Sequence, residues 1–392
     1  MDHVYWCFGH PLLNEKIVKA DQEFLFDRDG NRYLDLESGV WCTSLGHNHP
    51  AVATAVQKRL NTILHTGFCY ADPIVETAAS KVLSLLDMAD GKAVFLTSGS
   101  DAVEFGVRVA QAICEKQYLL MLSDSYFGAY GSASKKSSEE WVCFDWLSCR
   151  SCPNFGACDP ECPKITALPF EKIGGMLFEP GSSSGLIRFI PKSILSNLIR
   201  KIRQYEGVVI INEVTTGIGR TGRWFGYQHY DLKPDIVAMG KGLGNGYPVS
   251  VTAMSHRVIE RLEGIPFKYA QSHQYDPLGA EVALAVLQTL ENEKLIEKSD
   301  QTGKYLLTRL GTLKETCGKI KEIRGRGMMI AIEFDKSPSG TSLAERFYKE
   351  LYAHQIIIGL RPGHDVLRLD PCLTIHPQSI DTFLETLTSL LS

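Results

Sequence analysis

Lys241 is the residue of this sequence best suited to covalent chemistry. It follows the mostly apolar residues 236–240 and opens a turn that contains Gly242, Gly244 and Gly246. A lysine at a strand end, within a glycine-rich turn, is partly desolvated and accessible. Both conditions favour the neutral amine that forms a Schiff base with a carbonyl compound. A solvated loop lysine has the same local pattern, so this segment alone leaves both interpretations open.

Small polar residues stand at a second position suited to chemistry. Ser98, Gly99 and Ser100 separate the apolar run "AVFL" from the amphipathic segment "DAVEFGVRVAQAICEK". This pattern predicts a strand, a turn and the start of a helix, where backbone N–H groups bind phosphate well. A helix cap in which the Ser100 side chain bonds to the next turn would explain the serines equally.

An aromatic pair and an amide mark two further strand ends. Tyr126 and Phe127 follow the strand-like run "YLLML" and precede a glycine, so either ring could stack on a flat ligand or belong to the core. Asn212 and Glu213 follow "GVVII", which is typical of a buried strand. Burying such polar groups is costly without partners. We therefore expect the protein or a bound ligand to supply them.

Alternating strands and helices must position these residues. Near-continuous apolar strands between amphipathic helices predict an α/β fold with a mostly parallel central sheet and helices on both faces. Ligands of such sheets bind beyond the carboxyl ends of the strands, where the polar residues cluster here. The charged helix and antiparallel strands after about residue 290 indicate a smaller α+β domain. The hairpin signal "FLFDRDGNRYLDLESG" suggests an N-terminal segment that packs with it. The predicted units are therefore 1–45, 46–290 and 291–392.

Bulk composition excludes several classes of protein. The 392 residues contain 44% hydrophobic and 22% charged residues, as ordinary globular proteins do, and the formal net charge of -4 argues against nucleic acid as a partner. No apolar run approaches the roughly 18 residues that cross a bilayer. The beginning, "MDHVYWCFGH", lacks the basic start of a signal peptide. We expect a cytoplasmic protein without membrane contact.

The order of motifs along nearly the whole chain, from about Phe24 to the end, resembles one family. The motifs are "YLDLESGVWCTSLGHNHPAV", "TSGSDAVE", "SYFG", "FEP", "NEVTTGIGRTG", "PDIVAMGKGLGNGYPVS", "QSHQYDPLGAEVA", "IRGRGMMIAIEF" and "VLRLDPCL". This series is similar to that of the class III aminotransferases of the ornithine/acetylornithine type. These enzymes bind pyridoxal 5′-phosphate (PLP) on fold type I, the aspartate aminotransferase-like fold.

The resemblance implies roles for matching positions. Lys241 would be the catalytic residue that holds the cofactor, Ser98–Ser100 the phosphate-binding turn, and Tyr126 the aromatic that stacks on the ring. Ser272 stands where a threonine usually reaches the phosphate from the neighbouring subunit. This implies a homodimer with shared active sites. Trp41 matches the segment that lines the substrate pocket.

Two cofactor-facing positions depart from the family pattern. Asn212 replaces the aspartate that keeps the pyridine nitrogen protonated, and loss of a negative partner lowers the pKa of the ring. We therefore expect weaker stabilisation of the carbanion at the substrate α-carbon. Thr215 replaces a glutamine near the phenolic oxygen of the cofactor, and its hydroxyl can still form a hydrogen bond there.

Two substrate-facing positions depart as well. Ala129 stands where glutamate and ornithine users carry an arginine for the α-carboxylate, and Ser184 where they carry the glutamate that neutralises the C-terminal arginine. Arg368, which matches that arginine, would then be unpaired and ready to bind a substrate carboxylate. Pairing of Arg368 with Asp370 or another acid is the alternative.

Eleven cysteines without a secretory signal suggest reduced thiols. Cys149, Cys152, Cys158 and Cys162 form a C-x2-C-x5-C-x3-C pattern that suits zinc or an iron–sulfur centre, and equally free thiols. Whether they hold a metal stays open.

Three functions are compatible with these residues. The first is a PLP-dependent aminotransferase that moves an amino group between a carboxylate-bearing amino compound and a keto acid or aldehyde. The second is a racemase or epimerase on the same fold, which Asn212 favours; decarboxylation or elimination is a smaller possibility. The third is a non-catalytic interaction protein, and the retained Lys241, phosphate turn and Tyr126 argue against it.

Overall fold

The computed structural model describes residues 3–7, 12–67, 69–336, 340 and 342–392. Its strands are, in chain order, β1 (Ile17–Asp21), β2 (Phe24–Asp27), β3 (Arg32–Asp35), β4 (Lys92–Leu96), β5 (Tyr118–Leu122), β6 (Trp141–Phe144), β7 (Ile173–Phe178), β8 (Val208–Asn212), β9 (Ile236–Met239), β10 (Ser250–Met254), β11 (Ile320–Arg326), β12 (Met329–Phe334), β13 (Ile356–Ile357), β14 (Gly359–Leu360) and β15 (Val366–Leu369). Helices of seven or more residues span Pro50–Leu60, Pro73–Leu85, Gly99–Ile113, Lys192–Gln204, His256–Leu262, Pro277–Asn292, Leu295–Cys317, Leu343–Ala353 and Pro377–Leu391.

A seven-stranded sheet forms the centre of the molecule, in the order β4-β10-β9-β8-β7-β5-β6. Strands β5 to β9 pair in parallel, whereas β10 runs antiparallel to both β9 and β4. Every residue of β7, β8 and β9 is buried, which explains their continuous apolar runs. The predicted mostly parallel sheet is confirmed.

Helices cover both faces of this sheet. Val208 and Ile210 of β8 lie in one apolar cluster with helix Gly99–Ile113. Val209 and Ile211, which point to the opposite face, lie in the other with helix Lys192–Gln204. This alternation follows from the two-residue repeat of a strand. The predicted helical layers on both faces are therefore confirmed.

The N-terminal hairpin and the C-terminal part form two smaller sheets. Strands β1, β2 and β3 pair antiparallel, and β13 adds to β3 in parallel, with Ile356 opposite Leu34. The other sheet has the order β11-β12-β15-β14. The hairpin signal of the sequence corresponds to β2 and β3, and the C-terminal strand β13 is hydrogen-bonded to β3.

The boundaries of the three predicted units stay predictions. Residues 1, 2 and 8–11 of the first unit lie outside the described ranges. The boundary at residue 290 falls in the last turn of helix Pro277–Asn292. Within the described ranges, no helix has both the length and the apolar character that crossing a membrane requires.

Candidate active site

A cavity of about 170 Å³ lies where β4, β5, β8 and β9 end. Its wall contains six of the residues singled out from the sequence, namely Gly99, Ser100, Tyr126, Asn212, Thr215 and Lys241. Val103, Phe127, Gly128, Ser183 and Val214 complete it. Segments more than a hundred residues apart converge here because the carboxyl ends of parallel strands share one edge of the sheet.

Lys241 sits at this edge with an unusual backbone. Its φ of 46° is left-handed, a conformation that non-glycine residues rarely adopt and that often marks functional sites. Burial lowers the pKa of the Lys241 ammonium group. Its Nζ lies 5.2 Å from the centre of the Trp41 ring. The lowered pKa favours the neutral amine that a Schiff base requires.

The start of helix Gly99–Ile113 forms the side of the cavity suited to an anion. Ser98, and not Ser100, caps this helix by accepting from the Asp101 N–H at 3.1 Å. The expectation that Ser100 would bond to the next turn is wrong, since its hydroxyl accepts from the Ala129 N–H at 2.9 Å. Ser98 itself does not line the cavity. A Cβ at Gly128 would lie 2.6 Å from Ser100 Oγ, so this close approach requires glycine.

Tyr126 and Thr215 offer groups that a ligand would engage. The Tyr126 residue is 47% exposed, which is unusual for an aromatic that follows a buried strand. Thr215 is buried, and its hydroxyl has no hydrogen-bond partner within the described part of the chain. Buried hydroxyl groups are normally satisfied. Both features indicate that the cavity receives a ligand with a flat ring and a polar atom.

Asn212 and Glu213 find different partners at the end of β8. The Asn212 amide donates to Tyr126 O at 3.1 Å and to Glu179 Oε1 at 3.4 Å, and its oxygen accepts from the Val214 N–H. Glu213 turns into the protein and accepts hydrogen bonds from Thr216, Gly226 and Tyr227. The polar pair is therefore tolerated because the protein satisfies Glu213 while Asn212 lines the cavity.

The contact between Asn212 and Glu179 can be tested through the pH dependence of the free energy of unfolding. Burial raises the pKa of Glu179 to about 7, so folding takes up a proton and stability is lost as the pH rises from about 4.5 through 7. Asn212→Asp would put a second carboxylate beside Glu179 and raise the pKa of the pair by about 1–3 units. We expect the free energy of unfolding to fall by up to about 1.4 kcal/mol more than in the wild type between pH 5 and pH 8, because this window extends one unit above the wild-type pKa of Glu179.

Urea unfolding across this pH range measures the effect of Asn212→Asp. The exposed Asn154 provides the matched control, because Asn154→Asp adds the same charge at the surface. Parallel pH profiles of the two variants would contradict the contact between Asn212 and Glu179.

PLP, the cofactor that the sequence resemblance implies, fits the observed groups. The Lys241 amine can form a Schiff base with the aldehyde of PLP. The N–H groups at the start of helix Gly99–Ile113 suit its phosphate, and the Tyr126 ring can stack on its pyridine ring. The unpartnered Thr215 hydroxyl suits its phenolic oxygen. When bound, PLP supplies an electron sink for a carbanion at the substrate α-carbon.

A larger cavity of about 720 Å³ shares Lys241 and Tyr126 with the first. It adjoins the smaller cavity at these two residues. Its charged and aromatic lining comprises Glu37, Trp41, Asp124, Lys136, Arg188, Arg361 and Arg368. Trp41 and Arg368, both predicted to bind substrate, lie here together, with the Arg368 guanidinium 3.7 Å from the centre of the Trp41 ring.

The expectation that Arg368 is unpaired is wrong. Its Nε donates to Asp370 at 2.5 Å and its Nη2 to Glu37 at 2.7 Å. Glu37 comes from the N-terminal segment and thereby replaces the acid that is absent at Ser184. Ser184 instead donates to Asp124 at 3.1 Å. Arg368 is thus held by two carboxylates, as in the alternative drawn from the sequence.

Arg188 and Asp124 are charged residues of this cavity that sequence reasoning missed. Arg188 Nη1 lies 3.9 Å from Asp124 Oδ2, which is too far for a hydrogen bond. In the described part of the chain, Arg188 Nε and Asp124 Oδ2 are both buried without hydrogen-bond partners. The sequence signal that could have indicated Arg188 is its position as a cationic residue within the apolar run "GLIRFI". This pair has bonding capacity left for a ligand.

A left-handed turn carries the Trp41 side of the cavity. Ser38, Gly39, Val40 and Trp41 all have φ between 48° and 64°. Such a run costs roughly 1–2 kcal/mol for each non-glycine residue. Asp35 offsets part of this cost by accepting the N–H groups of residues 37, 38 and 39. No local sequence pattern predicts this turn, since Val40 is β-branched.

Ser272 and the four clustered cysteines lie apart from the two cavities. Ser272 is exposed and lines neither of them, so its role at a neighbouring subunit stays a prediction. Cys149 is buried and Cys152 exposed, and all four cysteines of the pattern are free thiols. Within the described residues, they do not bring three sulfur atoms within 4.8 Å of one another.

Comparison with known proteins identifies relatives along the whole chain. The family model described as Aminotransferase class-III matches residues 9–391. A leucine/methionine racemase of Thermococcus litoralis is 28% identical and covers 94% of this chain and 89% of its own. An acetylornithine aminotransferase of Caldanaerobacter subterraneus is also 28% identical, over 98% of this chain and 95% of its own.

Solved structures agree with this relationship. A Bacillus anthracis aminotransferase covers 100% of this chain and 96% of its own, with 25% identity and a TM-score of 0.89. An amine transaminase from an uncultivated Pseudomonas species, solved in its PLP-bound form, has a TM-score of 0.85 at 22% identity, over 98% and 97% of the two chains, and supports the fold. The chain belongs to the class III aminotransferase family, whose members use PLP on fold type I.

Proposed function

We propose that this protein is a PLP-dependent aminotransferase that moves an amino group between a carboxylate-bearing amino compound and a keto acid or aldehyde. The observation that carries the proposal is the position of Lys241, which lines both the 170 Å³ cavity and the larger substrate cavity. Its amine can therefore reach the cofactor and the substrate. The lowered pKa suits an amine that takes a proton from the α-carbon and later returns it.

The residues around Lys241 support this proton transfer. Trp41 covers the amine from the N-terminal side and limits its contact with water. Glu179 accepts the Tyr126 N–H at 3.0 Å and thereby fixes the segment that carries the aromatic ring. Asn212 adds a second bond to the same segment through Tyr126 O. These contacts hold Tyr126 on one side of the cavity and Lys241 on the other.

A racemase is the second candidate, and two observations favour it. Asn212 lacks the charge that protonates the cofactor ring, and a relative at 28% identity is a leucine/methionine racemase. A racemase returns the proton to the α-carbon and releases no keto acid. Both activities therefore remain proposals within the established family.

Incubation with single amino acids separates the two candidates. An aminotransferase releases one equivalent of keto acid per site from the donor without any acceptor. A racemase forms the opposite enantiomer with deuterium from the solvent at the α-carbon and releases no keto acid. Neither product from any amino compound tested would contradict both proposals and favour an interaction protein.

We propose further that Arg188, in place of Arg368, binds the substrate carboxylate. Arg361 is exposed, and Lys136 donates to the carbonyl oxygens of Ser123 and Ser125. Arg188 is only 20% exposed, and its side chain makes no hydrogen bond to a carboxylate in the described ranges. A partly buried guanidinium with free donors binds carboxylates well.

Truncation of Arg188 tests this assignment. A charge-assisted hydrogen bond contributes about 1.5–3 kcal/mol, so Arg188→Ala should raise KM for a carboxylate-bearing donor by about tenfold or more. An amine without a carboxylate serves as the control substrate, and its KM should stay unchanged. Equal effects on both substrates would contradict carboxylate binding by Arg188.

We also propose a homodimer in which Ser272 contributes to the partner's phosphate site, as the family resemblance implies. The exposed position of Ser272 supports this. The cytoplasmic location stays a prediction.

A further inference from the structure

His65 and His273 converge on a single carboxylate outside both cavities. His65 Nδ1 lies 2.8 Å from Asp276 Oδ1, and His273 Nδ1 lies 2.8 Å from Asp276 Oδ2. The two imidazole rings are 4.7 Å apart. One histidine comes from the segment after helix Pro50–Leu60 and the other from the segment before helix Pro277–Asn292. Two distant parts of the chain thus share one acid.

Asp276 does not cap its helix, although it occupies the N-cap position. It occupies the N-cap of helix Pro277–Asn292, where an aspartate side chain usually accepts a backbone N–H. Here its side chain makes no cap hydrogen bond. Both carboxylate oxygens face the imidazoles instead, and the side chain is only 14% exposed. The carboxylate is therefore committed to the two histidines and not to the helix.

The geometry of these three groups resembles a metal-ligand set. One donor atom from each residue lies within 4.8 Å of the other two, and within the described residues no other group of three or more histidine, cysteine or acidic side chains meets this criterion. Zinc binds nitrogen and oxygen at about 2.0–2.2 Å in a tetrahedron, which places ligand atoms about 3.3 Å apart. The Nδ1–oxygen distances of 2.8 Å require only a small expansion.

We propose that His65, His273 and Asp276 bind a first-row divalent transition-metal cation such as Zn²⁺. Two imidazoles and one carboxylate suit zinc, cobalt, nickel and copper, whereas magnesium and calcium prefer oxygen ligands only. On binding, each histidine carries its proton on Nε2 and presents Nδ1 to the metal. Further coordination positions are open on this chain, because the histidine side chains are 43% and 58% exposed.

The bound cation would restrict the motion of the segment that contains His273. It would join the segment that contains His65 to the segment that contains His273, the residue directly after Ser272. This consequence concerns the proposed dimer contact, but the metal site itself does not depend on the proposed function.

Cobalt titration of the chelator-treated, tag-free full chain tests the proposal. We expect visible d–d absorption and one cobalt ion per chain that zinc displaces. His65→Gln and His273→Gln should each raise the Kd for cobalt at least tenfold, because each variant removes one metal ligand. The exposed His256, which pairs with Glu260, provides the control, and His256→Gln should bind cobalt as the wild type does. Thermal unfolding verifies that each variant is folded.

The same titration distinguishes metal binding by the two histidines from metal binding by cysteine. Thiolate-bound cobalt would persist in both histidine variants, because all eleven cysteines are retained. A wild-type Kd in both His65→Gln and His273→Gln would therefore overturn the proposal. So would the lack of any cobalt binding by the wild type at millimolar cobalt.

Discussion

Replacement of Lys241 by alanine should lower kcat by at least about 10³-fold, because proton transfer by a positioned side chain contributes 10²–10⁴-fold and the covalent link to the cofactor is lost as well. Among the residues that the structure describes, Lys241 is the one lysine that lines the smaller cavity. Added amines should restore only part of the rate, since they are not held beside the α-carbon. The expected result is the same for the aminotransferase and the racemase.

Borohydride reduction followed by peptide mass analysis gives a readout besides activity. The wild type should carry the reduced cofactor on Lys241, and Lys241→Ala should carry none. Lys304, an exposed lysine that pairs with Asp300, supplies the control variant Lys304→Ala with normal labelling. Label on Lys136, the other lysine of the larger cavity, would refute the assignment.

Arg368→Ala should act mainly on stability. Asp370 is fully buried, and burial raises the pKa of its carboxyl group while Arg368 opposes this shift. Loss of the guanidinium leaves a buried acid without its charged partner, which typically costs about 3–5 kcal/mol. Glu37 loses its partner in the same variant. We expect the free energy of unfolding to fall by about this amount.

Urea unfolding of single and double variants measures this effect. Arg368→Ala combined with Asp370→Ala should recover only part of the loss, because it removes the buried acid at position 370 but leaves Glu37 without Arg368 and the buried Arg220 without the charge of Asp370. Arg188→Ala should lose less stability than Arg368→Ala, because Arg188 Nη1 lies 3.9 Å from Asp124 Oδ2 and makes no direct hydrogen bond to it. Unchanged stability of Arg368→Ala together with a higher KM would return the substrate carboxylate to Arg368.

The sequence predicted the central sheet and the cofactor side of the site because both depend on local patterns. Apolar strands that end at or shortly before Gly99, Tyr126, Asn212 and Lys241 are readable within short windows, and the pairing of the central sheet then brings these residues to one edge. The sequence did not reveal which serine caps the helix, since Ser98 and Ser100 are equally good capping residues. That choice depends on the Ala129 N–H, which is contributed by another loop.

The substrate side was predicted less well, for a physical reason. Glu37 and Arg368 are 331 positions apart, and their ion pair forms only when the N-terminal segment meets the C-terminal sheet. Arg188 and Asp124 likewise face each other across two different loops. Such pairs follow from tertiary packing, which a single sequence does not specify.

Under the proposed function, the left-handed turn Ser38–Trp41 would place substrate selection and the reaction in different parts of the chain. The residues that line the smaller cavity follow strands of the central sheet. The Trp41 side of the proposed substrate cavity is instead held by hydrogen bonds to Asp35 in the N-terminal hairpin. Exchange of residues 32–45 between relatives would therefore move this wall of the cavity together with Asp35, while Glu37 would still have to meet Arg368 of the C-terminal sheet. Under the proposed function, exchange of this segment would alter which amine is accepted without replacing Lys241.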